Sequence, residues 1–224
     1  MNPLKRYVSR GSLYVIGQKV KEAVTMSNHY YSKTPEVKNN RQVHPVSLRG
    51  YNMKFVTDAG VFSKTGVDYG SRVLIDAMEL KEDDRILDVG CGYGPIGLTA
   101  ALIAKCGHVT MIDINERAVE LSMENAKQNG ITNVTVLQSD LYESVKEQSF
   151  TVVLTNPPIR AGKATVHRVF EEGHALLEAG GTMWVVIQKK QGAPSAMEKL
   201  EQLFDEVEEV TKDKGYRILK AIKF

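Results

Sequence analysis

From Asp68 onward the hydrophobic period of the chain switches repeatedly between two values, and this alternation limits the folds open to it. Val73, Leu74, Ala77, Met78 and Leu80 recur at helical spacing. Residues 85–89 (RILDV) then read as a buried strand, and a glycine-rich loop leads into a helix over 95–105. A strand over 108–113 and a helix over 115–128, stopped by Asn129-Gly130, come next. Strands over 133–138 and 150–155 follow, then a helix over 163–177 ended by Gly180-Gly181. A strand over 182–188, a helix over 195–204 and two strands over 207–212 and 216–224, joined at Asp213-Lys214-Gly215, complete the pattern. Strands alternating with helices imply a mostly parallel α/β sheet covered on both faces. The closing hairpin adds an antiparallel strand at one edge. Ahead of this region, residues 43–57 form two alternating runs around Arg49-Gly50, a hairpin signal. Asp58-Ala59-Gly60 then turns the chain into Val61-Phe62-Ser63-Lys64.

The 224 residues suit one large domain with a small appendage. A hydrophobic fraction of 42% supplies a full core, and no apolar run is long enough to span a bilayer. No apolar h-region of a signal peptide follows the N-terminal basic residues. Cys91 and Cys106 lack metal-ligand spacing, so no metal is expected, and two such cysteines fit a reduced, cytoplasmic chain. The net charge of +2 hides an asymmetry: residues 1–25 carry +4, which leaves −2 for the rest. Nucleic-acid binding by the body must therefore rest on a local patch. Residues 1–28 read as an extension, either a basic arm that touches RNA or a segment preceding an alternative start at Met26. The domain proper is expected over 29–224, with a hairpin subregion over 29–65.

The loop after the first long strand is Leu87-Asp88-Val89-Gly90-Cys91-Gly92-Tyr93-Gly94-Pro95-Ile96-Gly97. It sits at the carboxyl end of a strand, where doubly wound sheets bind ligands. Two readings compete. Gly92 to Gly97 fits the G-x-G-x-x-G dinucleotide loop, with Asp113 at the distance of a ribose-binding acid. Starting at Asp88 instead, the string D-x-G-x-G-x-G resembles the cofactor loop of class I S-adenosylmethionine-dependent methyltransferases. The acid separates them. A carboxylate beside a pyrophosphate is repulsive, whereas S-adenosylmethionine carries a sulfonium and an ammonium that an acid complements. Asp113 and Asp140 each end a strand. Either can serve as a helix N-cap, and beside the glycine loop Asp113 suits two ribose hydroxyls and Asp140 the adenine amino group.

The strand over 150–155 ends in Thr155-Asn156-Pro157-Pro158-Ile159-Arg160-Ala161-Gly162-Lys163. Asn-Pro alone is a turn signal. Beside a methyl donor it has a second use. An exocyclic amine of a nucleobase is a poor nucleophile because its lone pair is delocalised. Two acceptors on its N–H groups localise that pair and stabilise the charge that develops on nitrogen. The Asn156 side-chain oxygen and the Pro157 carbonyl can be those acceptors, and Pro158 holds Pro157 extended.

The Asn-Pro-Pro string, with Gly60-Val61-Phe62-Ser63 and Asp68-Tyr69-Gly70-Ser71 upstream, resembles the guanine-N2 methyltransferases of small-subunit ribosomal RNA (the C-type family), in their short, stand-alone form. The resemblance implies a Rossmann-like class I fold with a mostly parallel seven-stranded sheet and an antiparallel C-terminal edge strand. It implies S-adenosylmethionine as cofactor, bound by Phe62, Ser63, Asp88, Gly90, Cys91 and Gly92. Asp113 with Ile114, Asp140 with Leu141, and Asn156 complete that site. It implies amine methylation by Asn156, Pro157 and Pro158, with 16S rRNA or the small ribosomal subunit as partner. Ile159, Arg160 and Lys163 fall to the substrate, the two cations toward phosphates. Ile159 departs from the family pattern, which has an aromatic residue there for the target base. A release-factor glutamine, an adenine N6, and a role as a non-catalytic ribosome-assembly factor are the alternatives.

Overall fold

The computed structural model describes residue 38 and residues 40–224. The expected extension over 1–28 and the domain start at 29 lie outside the described residues.

The first element is the hairpin of β1 (Gln42–Leu48) and β2 (Tyr51–Thr57). Arg49 and Gly50 connect the strands with φ of 48° and 84°. Two successive positive φ values give the primed two-residue turn that matches strand twist. The free edge of β2 is paired by a helix. Asn125 and Asn129, one turn apart on α3 (Glu116–Gln128) and its C-cap, stand in for a third strand. Val56 N–H donates to Asn125 Oδ1 at 2.7 Å, and Asn125 Nδ2 donates to the carbonyls of Val56 and Tyr93 at 3.0 and 2.9 Å. Asn129 Oδ1 accepts from Lys54 N–H at 2.9 Å, and its Nδ2 donates to the Lys54 carbonyl at 2.8 Å. This ties the hairpin to the main body.

The main sheet contains β3 (Arg85–Val89), β4 (His108–Asp113), β5 (Val134–Gln138), β6 (Phe150–Thr155), β7 (Leu177–Gln188), β8 (Glu206–Asp213) and β9 (Tyr216–Ile222). Its order is β5-β4-β3-β6-β7-β9-β8. The first five are parallel, and β9 runs antiparallel to both neighbours. The chain's last strand is thus inserted inside the closing hairpin, and β8 forms the edge. β8 is charged along its length (EVEEVTKD), which discourages pairing with another chain.

Helices α1 (Tyr69–Ala77), α2 (Pro95–Ile103) and α3 pack with the hairpin in one apolar cluster. Helices α4 (Lys163–Leu176) and α5 (Ala193–Leu203) pack in the other. Strand alternation sorts residues between the two: Ile86, Met111 and Trp184 face the first, and Leu87, Ile112 and Val185 the second. The seven-stranded, doubly covered sheet expected from the sequence is present.

The largest boundary difference from expectation is the start of β7, at Leu177 rather than residue 182. Helix α4 does not end at Gly180-Gly181. It stops at Leu176, and both glycines lie within β7, where the register against β6 shifts between Phe150 and Val152. The helix end needs no glycine because Lys223 Nζ donates to the carbonyls of His174 and Leu177 at 2.9 and 2.6 Å. The glycine amides are used elsewhere: Gly180 N–H donates to the Lys223 carbonyl at 2.6 Å.

Candidate active site

The site begins with the loop after β3. Gly90, Gly92 and Gly94 have φ of 73°, 59° and 100°, a region that side chains with a Cβ rarely adopt. The amides of Gly90 and Cys91 donate to the Ile112 carbonyl at 2.9 and 3.0 Å, and Ser122 Oγ donates to the Gly92 carbonyl at 2.9 Å. A Cβ on Gly90 or Gly92 would meet nothing within 4 Å, so this backbone faces open space. Gly97 has a different purpose. A Cβ there would lie 2.8 Å from Asp88 Oδ2 and 2.9 Å from Met111 Cγ, so only glycine lets α2 close on β3 and β4.

Two carboxylates flank the loop. Asp88 is fully buried beneath it. Its Oδ2 accepts from Gly97 N–H at 2.8 Å, and its Oδ1 has no partner among the described residues. Burial pushes its pKa up to about 7; the Gly97 amide opposes the rise and the charge of Asp113 adds to it. Asp113, at the end of β4, accepts from Gly92 N–H through Oδ2 and from Asn115 N–H through Oδ1, both at 2.9 Å. Burial also raises Asp113, while the amides of Asn115, Gly92 and Ile114 hold it back. Both Asp113 oxygens accept backbone N–H groups, and the carboxylate keeps acceptor capacity for a further donor.

Asp113 and the glycine loop border a cavity of about 430 Å³ at the carboxyl ends of the strands. Among the residues expected from the sequence, Gly90, Gly92, Asp113, Ile114, Asp140 and Leu141 line it. So do Phe62, Asn156, Pro157, Pro158 and Ile159. Phe62 arrives on a segment tied to the start of α3: Asn115 Nδ2 donates to the Gly60 carbonyl at 2.8 Å and Arg117 to that of Ala59. Five other expected residues do not line the cavity. Asp88 lies under the loop. Cys91 is buried with its thiol 3.8 Å from Ser122 Oγ. Ser63 has a φ of 54° and turns its hydroxyl to the Gly66 carbonyl. Arg160 and Lys163 are exposed beyond the cavity, on the turn after Pro158 and at the start of α4.

Asn156 is aimed by its neighbours. Its Nδ2 donates to Ser71 Oγ at 3.1 Å and to Asp68 Oδ1 at 3.4 Å. A carboxylate only accepts, so the amide nitrogen must face Asp68 and the amide oxygen must face away. Asp68 is also the N-cap of α1, accepting from Ser71 N–H at 3.0 Å. Pro158, at φ −75° and ψ 76°, is the centre of an inverse γ-turn in which Ile159 N–H donates to the Pro157 carbonyl at 2.8 Å. That carbonyl keeps its second lone pair. Two acceptors are therefore held at one wall of the cavity.

Sequence reasoning gave Asp68 and Ser71 no role, although both stand in a quoted string. It also missed Tyr216, Gln191 and Ser139, which line the cavity. Asp68 carried a local signal, an aspartate at the N-cap position of a helical stripe. Tyr216 carried none, since its place depends on strand order.

The chain matches the methyltransferase small domain family over residues 52–220. It is 60% identical to the Bacillus subtilis protein named Uncharacterized protein YbxB over 200 residues, 88% of this chain and all of that one. It is 33% identical over 177 residues to the ribosomal RNA large subunit methyltransferase G of Pseudomonas putida, covering 76% of this chain and 46% of the relative. The chain thus spans about half the length of that methyltransferase. In fold it is similar to the 16S rRNA guanine-N2 methyltransferase RsmC of T. thermophilus, solved with AdoMet and guanosine. That similarity has a TM-score of 0.74 at 24% identity, over 85% of this chain and 52% of that one.

Proposed function

The chain belongs to the methyltransferase small domain family, and from that membership we propose that it methylates an exocyclic amine of ribosomal RNA, the N2 of a guanine. The observation that carries this reading is the pair of acceptors at Asn156 and Pro157, on the wall of the cavity that Asp113 and the glycine loop also border. The cofactor is S-adenosylmethionine, which supplies an electrophilic methyl group on a sulfonium. The residues present fit it. Asp113 retains acceptor capacity for ribose hydroxyls, and Asp140 borders the same end of the cavity. When ionised, Asp88 places a negative charge beneath the loop, which favours a cation above it and would disfavour a pyrophosphate. Phe62 covers the cavity from the segment before α1.

Asn156 Oδ1 and the Pro157 carbonyl accept the two N–H groups of the target amine. They localise its lone pair toward the methyl donor and stabilise the positive charge that grows on nitrogen. Neither group has to remove a proton before transfer; the proton leaves to water afterwards. Positioning supplies much of the barrier reduction. Arg160 and Lys163 lie outside the cavity, where RNA phosphates would pass.

We take the small subunit as the first target. The 33% relative named for the large subunit favours a second reading, the same chemistry on large-subunit RNA. Labelled S-adenosylmethionine offered with small subunits, large subunits, naked ribosomal RNA and release factor distinguishes these, with products mapped by mass spectrometry. N2-methylguanosine in RNA is the expected product. Label confined to protein, or on another base, overturns the assignment. In the same assay Asn156→Ala should lower kcat by about 100- to 1,000-fold, the cost of losing one transition-state partner. S-adenosylhomocysteine affinity should stay within a few-fold of the parent, and near-normal turnover would refute the two-acceptor mechanism.

A further inference from the structure

The residue after Asn-Pro-Pro is Ile159, which offers no aromatic face to a base. An aromatic residue does reach the same cavity from elsewhere. Tyr216, the first residue of β9, lines it with Asp68, Asn156, Pro157 and Ile159. The strand order β4-β3-β6-β7-β9 places Asp113 on one side of Asn156 and Tyr216 on the other. Tyr216 therefore stands at the end of the site away from the ribose acid, where the acceptor amine must enter.

The Tyr216 ring is seated rather than loose. It occupies the space above Gly70: a Cβ on Gly70 would come within 2.7 Å of Tyr216 Cε1 and 2.9 Å of Cδ1. The Tyr69 ring lies beside it, with centroids 5.9 Å apart and planes at 49°. Tyr69 is fixed in turn, since its hydroxyl donates to the Asp213 carboxylate and Lys214 Nζ sits 4.4 Å from its ring centroid. The turn carrying Tyr216 is pinned to the loop after β7, where Lys189 N–H donates to the Gly215 carbonyl at 2.7 Å. Four consecutive residues at the start of α1 thus divide the work: Asp68 and Ser71 aim Asn156, while Tyr69 and Gly70 seat Tyr216.

We propose that Tyr216 is the stacking platform for the target base, supplying from β9 the aromatic face that Ile159 lacks. This rests on the reading of the site as a base-amine methyltransferase. Stacking on an aromatic side chain is sequence-tolerant and strong enough to hold a base out of its strand. The platform places the base, and the Asn156 and Pro157 acceptors select the amine on its edge.

The test uses the full chain saturated with S-adenosylhomocysteine and a single-stranded RNA oligonucleotide containing one 2-aminopurine, whose fluorescence is quenched on stacking. Quenching should appear with the parent protein, persist in Tyr216→Phe and disappear in Tyr216→Leu. RNA affinity in Tyr216→Leu should fall about 5- to 140-fold, the range for one lost base–aromatic stack. Gly70→Ala, which pushes the ring aside with the tyrosine intact, should reduce the quench as well. S-adenosylhomocysteine affinity, measured by calorimetry, should be unchanged in all three variants; a purely structural tyrosine would weaken it in Tyr216→Leu. Equal quenching in the parent and Tyr216→Leu, or none in the parent, overturns the platform. Label transfer to RNA is scored separately. If it fails while the quench pattern holds, the methylation reading falls and the platform stands.

Discussion

Asp113 ends β4 and Asp88 lies within neighbouring β3, yet they make different demands on solvent and ligand. Asp113 is held by backbone amides and borders the cavity with acceptor capacity to spare. Hydrogen bonds to a charged acceptor are worth about 1.5–3 kcal/mol, so Asp113→Ala should weaken S-adenosylmethionine binding roughly 10- to 150-fold. Isothermal calorimetry reads this directly, and unchanged affinity would remove Asp113 from the site. Asp88 acts without touching the cavity. Its folded pKa of about 7 lies above that of an unfolded aspartate, about 3.9. Between those values the folded protein holds a proton that the unfolded chain has released. The stability contributed by Asp88 is therefore complete below about pH 3.9 and is lost as pH rises through about 7. Asp88→Asn should flatten that slope in the ligand-free protein and raise its stability at pH 8, on the order of a few kcal/mol. Denaturant titrations at pH 5 and pH 8 test this, and parallel pH dependence in the two proteins would exclude Asp88 as its source.

The elements show which local signals carried through to the fold. The strand–helix alternation and the glycine loop were legible because each residue's pattern matched its final environment. The hairpin turn at Arg49-Gly50 was legible for the same reason. Gly180-Gly181 misled because a pair of glycines after a helical stripe looks the same whether it ends a helix or bends a strand. Lys223, 47 residues from Leu176, decided the matter. The roles of Asn125 and Asn129 were equally hidden, since a polar residue on a helix ordinarily reads as surface. In the structure Asn125 is fully buried and bonds three backbone groups of two other segments. Asn125→Ala leaves those groups without partners and should cost about 2–4 kcal/mol of unfolding free energy, with hairpin amides exchanging faster. Asn129→Ala, at the exposed end of the same pairing, should cost about 1 kcal/mol or less. Equal effects at the two positions would contradict the picture of a helix closing the sheet edge.

At the scale of the whole molecule, the residues proposed to bind ligands gather at one end of one sheet. Asp113 ends β4, Gly90, Asp140 and Asn156 follow β3, β5 and β6, and Tyr216 opens β9 at the same end. The sequence exposed the first four because each closes a recognisable strand. It could not expose Tyr216, because β9 is placed by insertion between β7 and β8. On the proposed reading, RNA crosses this end past Arg160 and Lys163. As hypothesis, Lys163→Ala should weaken binding uniformly across sequences and reduce the salt slope by about one. A slope equal to that of the parent between low and moderate salt would place Lys163 away from the phosphates.

The bond from Asn156 to Asp68 links the proposed amine acceptor to the end of a helix. The carboxylate that orients the amide also caps α1, and helix termini fray before the interior of a domain opens. Warming should therefore blur the direction of the acceptor while the sheet beneath it is still folded. Turnover would decline several degrees below the melting transition, and a tighter first turn of α1 would extend the working range of the enzyme without any change to its core.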